Sequence, residues 1–104
     1  MSHATVTPGI CGFVTTIEAQ VDDAYQASVA ITSQCAKIVI LNEQLGQVSV
    51  LEALRAPINE VAVYRAAAAC RLHAACPVPS AILKAIEVAA GLALPADVHI
   101  VIEP

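Results

Sequence analysis

The chain has 104 residues and a formal net charge of −4, and 58% of its residues are hydrophobic although only 3% are aromatic. It offers no basic cluster for phosphate contacts and few rings for base stacking, so the composition argues against nucleic acid as a partner. No apolar run is long enough to span a bilayer, which argues against a membrane as well, and the length predicts a single domain over residues 1–104.

Three alternating stretches near the beginning of the chain predict strands. Residues 3–9 are expected to form a short edge strand. Apolar and polar residues then alternate over 13–21 and again over 25–32, with the period of a strand. Asp22 and Asp23 lie between the second and third stretches as a turn, so these two strands are predicted to pair as an antiparallel hairpin.

Helical patterns occupy the middle of the chain. The stretch 34–44 is predicted to be a helix, although its apolar run 38–41 equally suits a buried strand, and the sequence leaves this open. Ser49 and Glu52 have the spacing of a capping box, which predicts a short helix that ends before the next proline. A longer helix is expected from Glu60 to about His73.

The clearest helix start follows Cys76. Pro77 suits the first helical position, because its missing N–H would have no partner there. Residues 80–90 combine a broad apolar face with a narrow polar stripe, and Gly91 suits the helix end. A cysteine at a helix start faces unpaired N–H groups and the positive end of the helix dipole. Cys76 is therefore predicted to have a lowered pKa and to be a reactive thiol or a metal ligand.

The last stretch, 97–103, alternates again, with Val98, Ile100 and Ile102 on one face. It is predicted to be a final strand that joins the hairpin sheet. Strands at both ends with helices between them predict an α+β fold. The expected architecture is a small antiparallel or mixed sheet, made of the N-terminal hairpin and the C-terminal strand, packed on three to four helices.

The four cysteines are the main candidates for chemistry. The N-terminus lacks the basic-then-apolar pattern of a secretory signal, so we expect a cytoplasmic protein. In that compartment cysteines are more often thiols or metal ligands than parts of a disulfide framework. Because only 13% of the residues are charged, the surface is also expected to be apolar enough for a homo-oligomer.

One spacing, Cys-x-x-His-x-x-Cys, brings together Cys70, His73 and Cys76. On a helix, Cys70 and His73 would share a face, and Cys76 could turn back toward them. Cys11 and Cys35 are expected at a strand start and at a helix start, which commonly meet at one edge of an α+β domain. We predict a metal site with Cys11, Cys35, His73 and Cys76 as ligands, a donor set that suits zinc or an iron–sulfur cluster.

Simpler interpretations of these residues remain open. A free cysteine often serves as a small buried hydrophobe, and Cys70 fits this best because it follows the alanine run 66–69. His73 would equally suit a role at the end of its own helix, where a cation is favourable. The sequence does not decide whether Cys70 belongs to the site.

Two resemblances add to this interpretation. Cys76-Pro77-Val78-Pro79 resembles the Cys-Pro-x-Pro element of the TusA-like sulfur carriers, which would make Cys76 a persulfide-carrying residue; there the element precedes the first helix. More of the chain is similar to a family of small uncharacterised proteins with Cys-Gly-Phe near the start and His-x-x-Cys-Pro-Val-Pro near the end. Those motifs are residues 11–13 and 73–79 here, and the family implies no activity.

Three hypotheses follow for the function, and they leave open whether the protein is an enzyme. The first is binding of zinc or an iron–sulfur cluster by the predicted ligands. The second is metal-free thiol chemistry, as a sulfur carrier or redox protein, with Cys76 as the catalytic residue. The third is a non-catalytic structural or interaction domain that self-associates.

Overall fold

The computed structural model describes all 104 residues and contains one four-stranded sheet and four helices. All neighbouring strands pair antiparallel, in the order β1-β2-β3-β4, and the predicted α+β class is confirmed. The elements in chain order are β1 Ser2–Val6, β2 Thr15–Val21, β3 Gln26–Thr32, α1 Ala36–Leu45, β4 Gln47–Ser49, α2 Val50–Arg55, α3 Ala62–Ala69 and α4 Val78–Ala89.

The predicted hairpin is formed by β2 and β3, with Ile17 opposite Ile31 and Ala19 opposite Val29. Its turn depends on Asp22, whose Oδ1 accepts hydrogen bonds from the N–H groups of Ala24 and Gln26, both at 2.9 Å. A short side chain that binds the backbone two and four residues ahead closes the chain into a turn.

The sheet has one face against the helices and one face toward solvent. Inward residues such as Ile17, Ala27 and Ile31 are buried, whereas their neighbours Glu18 and Ser28 are exposed. An antiparallel sheet with one solvated face alternates in this way. Eighteen buried side chains, contributed by the sheet, all four helices and the two residues that flank α3, form a single core.

The ambiguous stretch after β3 is helical and forms α1. Ile38, Leu41 and Leu45 point into the core, which is the spacing of one helix face. Asn42 on the same helix accepts a hydrogen bond from the Ile31 N–H through Oδ1 at 2.8 Å. This bond ties the second half of α1 to the neighbouring strand β3.

The helix predicted to reach His73 ends instead at Ala69. Arg71 adopts a left-handed conformation with φ 59°, and its N–H donates to the Ala68 carbonyl while the Leu72 N–H donates to the Ala67 carbonyl. These two bonds form a Schellman motif, which closes a helix. Arginine does not signal this conformation in the way that glycine does, so the sequence pattern overestimated the helix.

The C-terminal strand prediction is also wrong for this chain. Residues 97–103 form no strand and are exposed, and the fourth strand of the sheet is the unpredicted β4. The period-two pattern at residues 97–103 is present in the sequence, but the segment finds no strand partner within the chain. None of the helices is both long enough and apolar enough to cross a membrane.

Candidate thiol site

Side chains from three separate segments line one open pocket with a volume of about 460 Å³. Its lining includes Cys11 from the β1–β2 loop, Cys35 from the start of α1, and both His73 and Cys76 from the α3–α4 connection. These are the four residues predicted as one ligand set. We call this cavity the thiol pocket; its remaining lining residues are Pro8, Phe13, Thr15, Gln34, Ala36, Lys37, Ile38, Leu72 and Val78.

Cys35 is the residue immediately before α1. Its backbone is extended, with φ −71° and ψ 119°, and its carbonyl accepts the first helical hydrogen bond, from the Val39 N–H. No side chain caps this helix start. The half-buried Cys35 thiol therefore stands beside backbone N–H groups that have no side-chain acceptor, as the sequence predicted.

Two hydrogen bonds that share Ser33 Oγ connect Cys35 to the second strand. The Cys35 N–H donates to Ser33 Oγ at 3.1 Å, and Ser33 Oγ is hydrogen-bonded to Thr15 Oγ1 at 2.9 Å. Thr15 is the one buried polar residue of the chain, and its Oγ1 also lies 3.1 Å from the Phe13 carbonyl oxygen. Together these hydrogen bonds hold the end of the loop that contains Cys11 against the start of α1.

Cys76 sits in the turn before α4, with its N–H donating to the His73 carbonyl at 3.1 Å. Pro77 is the cap residue and already has helical dihedral angles, φ −80° and ψ −6°. The helix therefore begins one residue later than the sequence pattern indicated. The turn places His73 and Cys76 at the same pocket even though His73 is outside any helix.

The prediction of a lowered pKa at Cys76 is wrong in direction. Burial raises the pKa of the Cys76 thiol, and the negative charges of the Cys11, Cys35 and Cys70 thiolates raise it further. The backbone N–H of Val78 hydrogen-bonds to Cys76 and lowers the pKa, which is the predicted effect of a helix start. Burial outweighs that bond because desolvation penalises the charged form of the thiol.

Cys70 lies behind the pocket. It is the cap residue directly after α3, it is buried in the core, and its Sγ lies 3.3 Å from the Ala67 carbonyl oxygen. It does not line the thiol pocket, yet its charge acts on Cys76. Cys70 and His73 do not share a helix face, because α3 ends before His73.

Cys11 is the most exposed of the three cysteines that line the thiol pocket. Cys11 lies in an exposed loop, where Gly9 and Gly12 adopt φ values of 99° and 73° that favour glycine. No group of three or more histidine, cysteine or acidic side chains is drawn together in a geometry that could hold a metal ion. The ligand set thus shares a pocket without forming a closed coordination shell, and metal binding stays a prediction.

Lys37 is a pocket residue that the sequence interpretation missed. It follows Cys35 by two positions in the first turn of α1 and lines the thiol pocket. The spacing Cys-x-Lys at a helix start was the available signal, but it is too short and too common to single out a site. Its side chain is exposed at the rim of the helix start.

Comparison with known proteins yields a family but no characterised relative. A family model described as "Family of unknown function (DUF6951)" matches residues 2–102, which is nearly all of the chain. No curated protein and no solved structure matches the chain.

Proposed function

The chain belongs to DUF6951, a family of unknown function, and we propose that it binds a soft metal centre, an iron–sulfur cluster, in the thiol pocket. The observation that carries this proposal is that Cys11, Cys35, His73 and Cys76 line one pocket although they come from three separate segments of the chain. Thiolate sulfur is the ligand that iron–sulfur clusters and zinc select.

The electrostatics of the pocket favour a cationic centre. In the metal-free protein, burial and the like charges of the other cysteines oppose ionisation of Cys76. A metal centre removes the thiol protons on binding and neutralises the thiolates together, so that charges which repel each other become ligands. Without a bound cation, the thiolates that line the pocket lack this neutralisation.

A cluster suits ligands that come from separate segments around an open pocket of about 460 Å³. Thiolate sulfurs around one tetrahedral zinc at about 2.3 Å must approach each other to roughly 3.8 Å. A cluster brings its own iron and sulfide between the cysteines, so its ligands can lie farther apart than those of a single zinc ion.

The exposed position of Cys11 is compatible with assembly from solution. Cys11 lies in an exposed loop, whereas Cys35 and Cys76 are half-buried at two helix starts. Two preorganised ligands with a third on a glycine-containing loop would let a cluster enter and then be enclosed. The fourth ligand is either His73, which lines the pocket, or Cys70, whose sulfur is buried behind it.

A sulfur-carrier or redox role for Cys76 without metal is less well supported. Such chemistry depends on a thiolate that is accessible at neutral pH. The pKa of Cys76 is raised, mainly by burial, and the residue is only half exposed. This observation weighs against the function implied by the resemblance to TusA-like carriers.

The test is purification without air, followed by quantification of iron, sulfide and zinc per chain and a visible absorption spectrum. We expect iron and sulfide in equal amounts, either as isolated or after reconstitution with ferrous iron and sulfide. Zinc without sulfide would support a metal site in the thiol pocket but would contradict the iron–sulfur cluster. A chain that takes up neither would overturn the proposal, and mass spectrometry for a persulfide on Cys76 would then be decisive.

Single substitutions identify the ligands. Cys11→Ser, Cys35→Ser and Cys76→Ser are each expected to lose most of the bound iron. To identify the fourth ligand, the iron content of His73→Ala is compared with that of Cys70→Ala, because each variant removes one candidate donor. Of these two residues, only Cys70 also contributes to the core. Retention of full iron content by all three serine variants would contradict the assigned pocket.

A further inference from the structure

The C-terminal tail, which we define as residues 94–104, has the pattern of a strand and no strand to pair with. Every residue of the tail is exposed, and none of its backbone groups makes a hydrogen bond within the chain. Its large aliphatic side chains are exposed to an unusual degree, between 59% and 89%: Leu94, Val98, Ile100, Val101 and Ile102. An extended segment of this kind gains nothing from being ordered alone in water.

The alternation of the tail matches a sheet that is covered on one face. Val98, Ile100 and Ile102 share one side, while the other side is mostly polar and carries Asp97, His99, Val101 and Glu103. The strands of the sheet have the same arrangement, with apolar residues toward the helices and polar residues toward solvent. The tail therefore has the side-chain pattern of a further strand of this sheet.

The sheet has a free edge that such a strand would fit. Strand β1 is the first in the order and pairs only with β2, so one side of its five-residue backbone is unpaired. Its Val6 faces the core, while His3 and Thr5 face solvent. The opposite edge is β4, which has only three residues and leads directly into α2, so it offers a shorter template.

We propose that the tail of one copy adds to the free edge of β1 in a second copy, and that the exchange is reciprocal. We assign a second copy as the partner because each chain carries both a donor strand, the tail, and an acceptor edge, β1. In a two-fold dimer each copy then donates its tail to the partner and accepts the partner's tail. The tail contributes no residue to the core and makes no hydrogen bond to its own chain. This dimer is independent of the metal centre proposed above.

The test is sedimentation equilibrium under reducing conditions, so that the exposed Cys11 cannot link two chains. The native chain is expected at twice its mass of 10.7 kDa. Ile100→Asp places a charge on the apolar side of the tail and is expected to raise the dimer dissociation constant at least ten-fold. The matched control His99→Asp places the same charge on the polar side and is expected to leave the dimer intact.

Two outcomes of this experiment overturn the proposal. A native chain that is monomeric rules out exchange, and a dimer that Ile100→Asp does not weaken uses another surface. Circular dichroism of Ile100→Asp serves as the folding control, and unchanged helix content is expected because Ile100 is 72% exposed.

A mixed sample of isotope-labelled and unlabelled chains then identifies the edge. Intermolecular contacts between the methyl groups of Ile100 and residues of β1 are expected. Contacts to β4 would overturn the assigned edge. Contacts to β1 within one chain alone would mean that the tail joins its own sheet, which also overturns the proposal.

Discussion

At Cys76 two opposing influences act on one thiol. The Val78 N–H at the start of α4 favours the thiolate, whereas burial and three neighbouring cysteines favour the thiol, and the net effect is a raised pKa. Helix starts are rightly associated with acidic cysteines, but the association holds only where the sulfur is well solvated. A half-buried thiol with other thiols nearby is better suited to metal ligation than to nucleophilic attack.

The raised pKa predicts how the metal-free protein reacts with an alkylating agent. The alkylation rate of Cys76 against pH should have its midpoint above that of an ordinary cysteine. Cys35→Ser should shift this midpoint down, because it removes one of the like charges near Cys76. The measurement is peptide mass spectrometry after timed treatment with iodoacetamide, and a midpoint below that of a free cysteine would contradict it.

The same shift has a consequence for stability. The folded metal-free state holds the Cys76 proton more tightly than the unfolded chain does. The contribution of this group to stability is therefore fully present below the ordinary thiol pKa and is lost as the pH rises from there through the raised value. Denaturant unfolding of the metal-free protein should show a decrease in stability from pH 7 to pH 10 that is smaller in Cys76→Ser.

Arg71 is the residue whose backbone ends α3. Its φ of 59° lies in the left-handed region, which costs an L-residue about 1–2 kcal/mol and glycine nothing. Arg71→Gly is expected to stabilise the protein by about 0.5–1 kcal/mol in urea unfolding. Arg71→Ala keeps the unfavourable conformation and serves as the control, so an equal gain in both variants would contradict this explanation.

At the scale of elements, α4 is the helix that supports the sheet. It packs against β1 and β2, and its Val78, Ile82 and Ile86 are almost completely buried. Its C-terminus is closed by Gly91 in the left-handed region with the two bonds of a Schellman motif, as the sequence predicted. The same helix begins at the thiol pocket, so its packing also positions Cys76.

The importance of α4 predicts a large effect of one truncation in its centre. Ile82 has no exposed surface, and Ile82→Ala should destabilise the protein by about 2–5 kcal/mol because it leaves a cavity. Ile40→Ala makes the same change on α1 at a side chain that is 41% exposed, and it should cost less than about 1 kcal/mol. Comparable losses in urea unfolding would contradict the assigned core.

At the scale of the whole molecule, the thiol pocket links the β1–β2 loop, the start of α1 and the start of α4. A centre bound there connects the two sides of the fold and binds only the folded chain. At a hundred-fold excess over its dissociation constant, such a ligand adds about 2.7 kcal/mol of stability.

Loss of the centre should therefore lower the midpoint of thermal unfolding by about 10–20 °C for a chain of this size. Calorimetry without air, before and after removal of the centre with a chelator, provides the measurement. Cys76→Ser is the control, since it should show no response to the chelator. An unchanged midpoint in the native chain would argue against a centre coupled to folding.

Local patterns by themselves determined the hairpin, the Ser49 cap at the start of α2 and the start region of α4. Each depends on contacts between near neighbours, such as Asp22 with the turn that follows it or Ser49 Oγ with the Glu52 N–H at 3.4 Å. Such interactions are encoded within a few residues and can be recognised before the fold is known.

Only the tertiary structure decided the features that depend on distant residues. The choice of helix for α1 depended on which side chains the core accepted, and the pKa of Cys76 depended on burial by segments far away in the sequence. That Cys11, Cys35 and Cys76 share one pocket also required the fold. The tail also illustrates the difference between local pattern and tertiary structure. Its sequence has the alternation of a strand, but a strand must pair with a sheet edge, and only the fold shows which edge is free.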